Sequence, residues 1–531
     1  MSVSLLFSGR FDIPAECLQE IFKYYQNEPN YLYTCLQVSK CWCHNAVTLL
    51  YRNPFDKIHK PSAKLITTYL QFLNDKTKSS FESRGVRIPH YSRPFIIDYP
   101  VYVHTFCYKQ SYDSVINFLS EHDVTKRQVW EKELFAKEIL DEIFKIFVIR
   151  GVNIDNLVLD TEDSNVYPPN VHMLLPRYPS VPSFMRRVKK FTCGGRFEKG
   201  DLMCRMSTFC KGLHTLQLNF YDYDMYDPRD GDRTETKRIG TLIEAQLHLQ
   251  RLIVHGPYRF LSNLLPAVTS QSNCLTHVEF VRVVFRDFVP LFIVAMCSNL
   301  QTLIMEDCQN LNDFILSPLA TASFTRLKKF VFINQYQKVL DNLVPVVANT
   351  LGSLREVRFR RRLPSSAVVR NAPDIPPAVI ETIASTSVKL KRFEGHIEQK
   401  TMQAFMTLLM SCLTLKRLTI SVEHREFFTA RVPLLFPRSL RFLTISFAGF
   451  LSANELDDFL NHCSAPLETL QLPASCCIDH HHFHVIVKHA RRMGTLQRLA
   501  LSRYANISEK DIEQARGVIK HISMCGEQKE W

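Results

Sequence analysis

From Leu213 onward the chain repeats one short arrangement, with apolar residues at positions one, four and six and mixed residues between them. It reads Leu213-His-Thr-Leu216-Gln-Leu218, then Leu249, Leu252, Val254; Leu275, Val278, Phe280; and Leu300, Leu303, Met305. It continues through Leu327, Phe330, Phe332; Leu354, Val357, Phe359; Leu390, Phe393; Leu415, Leu418, Ile420; Leu440, Leu443, Ile445; Leu467, Leu470, Leu472; and Leu496, Leu499, Leu501. The first leucines recur every 25 to 29 residues, with two steps of 36. Weaker copies precede them at Ile154, Leu157, Leu159 and at Val188, Phe191, Cys193. Positions four and six lie two apart, so on a strand both point into a core while position five points the other way. Each phrase therefore predicts a short strand. A helix returns behind it: Ser452-Ala-Asn-Glu455 reads as a capping box, and Leu456, Phe459 and Leu460 follow at helical spacing.

A phrase of this kind at this period is the signature of leucine-rich repeats. One unit cannot bury its own apolar face, and stacking neighbours does so. The expected fold is α/β: a leucine-rich-repeat solenoid over 151–505, horseshoe-shaped, strands concave and helices convex, preceded by a small all-α module. A helix begun by Ser508 and Asp511, carrying Ile512, Ala515, Ile519 and Ile522, is expected to close the open core in 506–531. Two units resemble the cysteine-containing subclass. Leu300 to Met305 runs on to Cys308, and Leu467 to Leu472 is followed by Cys476, Cys477, Ile478 and Asp479.

Composition narrows the class. With 531 residues the chain is several times an ordinary domain, but a solenoid lets one core grow with length. The 46% hydrophobic and 22% charged content is that of a soluble protein. Sixteen cysteines scattered along so long a chain form no small disulfide framework, and are expected to be reduced and mostly buried. The opening Met1–Phe7 is too short for a signal peptide and lacks its basic flank. The longest apolar runs, such as Leu291–Cys297, fall far short of a membrane span. The expected location is cytosol or nucleus, with no membrane partner. A net charge of +13 points to nucleic acid, to an acidic protein partner, or to nothing specific.

The segment 10–55 lacks the repeat phrase. Pro14 stands where a helix starts, and Leu18, Ile21, Phe22 and Tyr25 form an i, i+3, i+4, i+7 stripe. A second helix is expected from Asn30 through Leu32, Cys35, Leu36 and Val38. Ser39-Lys-Cys-Trp42 comes next, and a third helix runs through Ala46, Leu49 and Leu50 to a stop at Asn53-Pro54. Three short helices make a marginal core unless they lean on a partner or on the repeats.

These residues resemble the F-box, whose pattern is Leu-Pro-x-Glu-x-Leu-x-x-Ile-Phe, a spacer, then Val-x-x-x-Trp. The chain offers Ile13-Pro14-Ala-Glu16-Cys-Leu18-Gln-Glu-Ile21-Phe22 and Val38-Ser-Lys-Cys-Trp42. It departs from the pattern at Ile13 and Tyr25 and in the length of its polar spacer. Together with the repeats, and with Tyr51-Arg-Asn-Pro-Phe55, it is similar to the fungal F-box/leucine-rich-repeat proteins. That resemblance implies a substrate receptor of a Skp–cullin–F-box ubiquitin ligase. Pro14, Leu18, Ile21, Phe22, Leu36, Val38 and Trp42 would face a Skp-type adaptor, and through it a cullin, or fill the module's own core. The two roles are not separable at this level. A solenoid with no ligase link, its first helices serving as a cap, is the alternative.

Between module and repeats, 56–150 reads as linker or degenerate early repeats. Helices are expected at Ser62–Asn74 and Glu131–Phe147, the latter through Leu134, Ile139, Ile143 and Ile146, and an exposed loop at Asp75–Arg84.

The candidate substrate face is the outward side of the strands. It turns basic at Arg355, Arg358, Arg360, Arg361, Arg362, Lys391, Arg392, Lys416 and Arg417. Guanidinium groups there, Arg355, Arg358, Arg360, Arg392 and Arg417 above all, would grip an acidic or phosphorylated protein segment in two-pronged fashion. Solvated charge that keeps the chain soluble is the bland reading. Nucleic acid is not the expected partner, since outward aromatics suited to stacking come down almost to Phe442 alone. The acidic stretch Tyr221–Asp232 lacks the alternation of a calcium loop. Cys476, Cys477, His480, His481, His482 and His484 lack the paired spacing of a zinc site. Neither a metal nor a cofactor is expected. No nucleotide-binding, metalloprotease or nucleophile-elbow motif appears, so a non-catalytic role is the expectation.

Overall fold

Strand register explains how the phrases combine. The computed structural model describes residues 13–25, 28–55, 60–89, 97–125, 127–161, 179–195, 199–221, 231–256, 261–286, 289–333, 342–360, 375–422, 425–429, 431–447, 449, 451–473, 478–502 and 505–525. The chain divides into two compact units, Met1–Leu249 and Gln250–Trp531. The first holds β1 Thr105–Cys107, β2 Asn156–Asp160, β3 Lys190–Gly194 and β4 Thr215–Asn219. These pair in parallel in chain order. The second holds β5 Arg251–His255, β6 His277–Val281, β7 Thr302–Glu306, β8 Lys329–Ile333, β9 Glu356–Arg360, β10 Arg392–Ile397, β11 Arg417–Val422, β12 Phe442–Phe447, β13 Thr469–Leu472, β14 Arg498–Ser502 and β15 His521–Cys525. They too pair in parallel and in order.

Like position stacks on like position. Leu418 stands opposite Leu443 and Ile420 opposite Ile445, and all four are buried. Leu303 meets Phe330, and Met305 meets Phe332, in the same manner. Each such side chain contributes about 1.5–3 kcal/mol by leaving water, and only the neighbouring repeat makes that burial complete. At position five, Thr419 and Thr444 face the opposite side and stay half-buried. With a helix behind most strands, this is the α/β leucine-rich-repeat architecture. The weak copies at Ile154 and Val188 form β2 and β3.

Position two carries a second register. The Lys391 carbonyl accepts from the Lys416 amide at 2.8 Å and from the Arg417 amide at 3.0 Å. The Lys416 carbonyl likewise accepts from Arg441 at 2.9 Å and from Phe442 at 3.0 Å. This fork sets position-two residues of successive repeats side by side just before the strands.

The structure departs from the sequence reading in four places. Asp75–Arg84 is not a loop: helix Asp75–Ser83 runs through it, capped by Asn74, whose side chain accepts from the Thr77 amide at 2.9 Å. Only Phe81 of this helix is buried, so hydrophobic spacing could not reveal it. We expect Asn74→Ala to cost about 1 kcal/mol, seen as faster hydrogen exchange at the Thr77 and Lys78 amides. The helix begun after Ser62 ends at Leu70 rather than Asn74. In the helix Val129–Ile149, Ile139, Ile143 and Ile146 are buried, but Leu134 is 55% exposed. Finally, the helix begun at Ser508 stops at Ala515, and Ile522 lies not on it but in β15, which extends the ladder from β14.

Burial governs the thiols. It pushes Cys210, Cys297 and Cys308 up to about 12, and Cys412 and Cys463 to about 11. Such thiols are protonated and unreactive at neutral pH. Among the described residues no helix is long and apolar enough to cross a membrane.

Candidate functional site

Helices α1 Ala15–Lys23, α2 Pro29–Cys35 and α3 Lys40–Leu50 form the first candidate surface, in the first unit. Pro14 precedes the first turn of α1, and its carbonyl accepts from the Leu18 amide. Pro29 opens α2, and Ser39 caps α3 by accepting from the Trp42 amide at 3.2 Å. Leu18, Phe22, Leu32 and Ala46 make a small core, against which Cys35, Leu36, Trp42, Leu49 and Leu50 pack. Phe22 and Trp42 meet edge to face at 5.2 Å.

This sorts the seven motif residues. Leu18 and Phe22 are 1% exposed and belong to the core. Leu36 and Trp42 are half-buried. Pro14 is exposed, and Ile21 and Val38 are exposed at 44% and 57%. The stripe read from the sequence is thus split: α1 turns Leu18 and Phe22 inward and leaves Ile21 outside, and Tyr25, in the turn after the helix, is exposed as well. Ile13, Tyr24, Tyr31 and Tyr33 are further exposed apolar residues of this module, and the Tyr25 and Tyr31 rings pair at 5.6 Å. Ile13, Cys17, Ile21 and Tyr24 recur at helical spacing, a signal hidden by its fusion with the core stripe.

The module's tail joins the repeats. The Arg52 carbonyl accepts from the His104 amide at 2.8 Å and the Thr105 amide at 3.2 Å, the same fork that links position-two residues. Beyond it Phe55 is buried against Tyr69 and Phe106.

The second candidate surface is the position-three and position-five side of β8 to β12, in the second unit. Arg358 donates from Nε to Glu394 Oε2 at 2.7 Å. Arg392 lies 3.7 Å from both Glu394 and Glu356, and Lys329 reaches Glu356 at 3.3 Å. The guanidinium of Arg355 donates to the Gly352, Ser353 and Leu354 carbonyls at 2.8 to 3.0 Å. Arg417 stacks on the Phe442 ring at 4.5 Å. Arg360 belongs to β9 by its backbone; its side chain, with Arg361 and Arg362, lies outside the described residues. The structure therefore brings Arg358 and Arg392 together around carboxylates of the chain itself. The sequence reading missed Glu356 and Glu394, because the 36-residue step between these repeats hides that Arg392 faces Glu356 and that Glu394 faces Arg358.

On β5 and β6, His255 and His277 each approach Glu279 at 3.1 Å. Burial alone would raise the Glu279 carboxyl, but hydrogen bonds from both imidazoles, and their charge, outweigh it and hold the group at about 2.

No protein-family model matches the chain, and no curated protein is similar to it. Among solved structures, an internalin (InlF) of Listeria monocytogenes aligns at 13% identity over 66% of this chain and 83% of that one, with a TM-score of 0.29. A Bacteroides fragilis protein aligns at 11% identity over 76% of this chain and 85% of that one, with a TM-score of 0.20. At these scores neither adds to what the strand register establishes.

Of the remaining sequence candidates, His482 has a structural role and several others lie outside the described residues. His482 is buried, with Nδ1 2.6 Å from Asp479 Oδ1 and Nε2 2.7 Å from the Leu451 carbonyl, and so ties helix His480–Met493 to the preceding repeat. Cys476 and Cys477 are outside the described residues, as are residues 222–230 of the acidic stretch. Tyr221 is described, and its hydroxyl bonds the buried Asp160 carboxylate at 2.9 Å.

Proposed function

We propose that this protein is the substrate-recognition subunit of a Skp–cullin–F-box type ubiquitin ligase, working in the cytosol or nucleus. Its three-helix module docks a Skp-type adaptor, its repeats hold the protein to be marked, and ubiquitin transfer is left to partners. The observation that carries this reading is the division within the module. Leu18 and Phe22 close a minimal core, while Pro14, Ile21 and Val38 remain as exposed apolar residues in the motif positions. Apolar and aromatic side chains in water on so small a module fit a helix-packed interface with another subunit.

The test is co-purification of the full chain with a recombinant Skp-type adaptor and a cullin. Ile21→Asp combined with Val38→Asp changes exposed positions, so the thermal transition should hold while adaptor capture falls to background. Undiminished capture by that variant, or none by the wild type, would reject the reading. A second reading, a repeat scaffold with no ligase link, is favoured by the Arg52 fork, which suits a module serving only as a cap. It predicts no adaptor capture by any variant.

A further inference from the structure

We infer that the second unit binds an acidic polypeptide segment along the position-two row that precedes β8 to β12, and not in the arginine cluster beside it. This deepens the proposal that the repeats hold the cargo, and rests on it.

The row is made visible by backbone hydrogen bonds. The Gln301 carbonyl accepts from the Lys328 amide at 2.8 Å, Lys328 from Arg355 at 2.7 Å, Arg355 from Lys391 at 2.7 Å, Lys391 from Lys416 at 2.8 Å, Lys416 from Arg441 at 2.9 Å and Arg441 from Glu468 at 2.8 Å. Lys328, Arg355, Lys391, Lys416 and Arg441 are therefore five cations on five adjacent rungs. Strands lie about 4.8 Å apart, so the stripe spans about 19 Å. It is bounded by neutral Gln301 on one side and acidic Glu468 on the other.

Unequal steps of 27, 36, 25 and 25 residues separate these five cations in sequence, so spacing alone does not reveal the alignment.

Like charges facing one another across neighbouring strands oppose folding, so the row stands at a cost to the chain that bound carboxylates would offset. In the arginine cluster that offset is internal: Arg358 and Arg392 already face Glu394 and Glu356. In the row, among the described residues, it is internal only at the last rung, where Arg441 Nε lies 3.3 Å from Glu468 Oε1. Lys391 and Lys416 are exposed, and among the described residues neither has an acidic partner. Arg355 and Arg441 are pinned to carbonyls of their own turns, which fixes the outline of the stripe.

A length of about 19 Å matches roughly six residues of extended chain at about 3.3 Å each. A carboxylate-bearing peptide is favoured over a nucleic acid strand because, among the described residues, the one aromatic ring beside the row, Phe442, is covered by Arg417.

The test uses full-length protein and fluorescein-labelled hexaglutamate, with oligothymidylate of equal charge as the rival probe, read by anisotropy. Lys391→Glu with Lys416→Glu should weaken hexaglutamate binding by about tenfold or more. Lys510→Glu with Arg516→Glu, an equal charge change on exposed positions elsewhere, should leave it within about twofold. Three results would each overturn the assignment: no hexaglutamate binding by the wild type, equal losses in both variants, or tighter binding of oligothymidylate than of hexaglutamate. Adaptor capture should be intact in the Lys391/Lys416 variant. Loss of adaptor docking with hexaglutamate binding preserved would count against the ligase reading alone.

Discussion

Replacing Arg358 with methionine is expected to destabilise the second unit by about 3–5 kcal/mol, because it leaves a buried carboxylate without its closest cation among the described residues. Glu394 is 3% exposed, and Arg358 Nε stands 2.7 Å from its Oε2, whereas the Arg392 guanidinium is 3.7 Å away and shared with Glu356. The cost arises from desolvation that is less fully compensated, not from the loss of attraction as such. Removing both charges with Arg358→Met and Glu394→Leu should therefore restore stability to within about 1 kcal/mol of the wild type. Urea unfolding of the full chain, followed through the transition of the second unit, compares the three proteins. A single variant as stable as the wild type would mean that Glu394 remains hydrated and that the pair is a surface feature.

Acid should weaken the same unit through one imidazole. His489 is buried, and its Nδ1 lies 3.1 Å from an Arg492 guanidinium nitrogen, which can only donate. Burial, and then the Arg492 charge, lower this histidine from 6.5 to about 4. The unfolded chain, with its histidine near 6.5, therefore takes up the proton first as pH falls. The stability that depends on neutral His489 is complete above about pH 6.5, declines through the interval below, and is gone near pH 4, a loss of about 3 kcal/mol. Thermal midpoints measured from pH 7 to 4 should fall more steeply for the wild type than for His489→Gln, whose amide oxygen can still accept from Arg492. Parallel curves would show that another group takes up the proton.

What could be read from the amino acids tracks what their periodicity encodes. Leu443 and Ile445 announce their strand because the core needs apolar groups two apart, and β11 and β12 then align without gaps. β1 escaped notice because its copy is written with Val103 and Phe106, so no leucine marks it. Helix Asp75–Ser83 escaped because a cap and one phenylalanine hold it, and neither makes a pattern. The same limit applies at the candidate surfaces. Motif spacing picked out Leu18, Ile21, Phe22 and Val38, but burial had to separate core from surface. Charge runs picked out Arg358 and Arg392, yet their carboxylate partners lie a repeat away, where only register identifies them. A recurring cysteine also went unread: Cys210, Cys297 and Cys412 each sit three residues before the first leucine, buried where the helix turns back toward its strand.

The Arg52 carbonyl has a mechanical implication. Because it receives the His104 and Thr105 amides just as the His104, Asp155 and Lys189 carbonyls each receive two amides of the next rung, the helical module is the opening rung of the first unit's ladder rather than a bead on a string. Anything seated on α1 takes its bearing from β1, and grafting the module onto another protein would require carrying along Tyr51–Phe55 and a first strand to receive them.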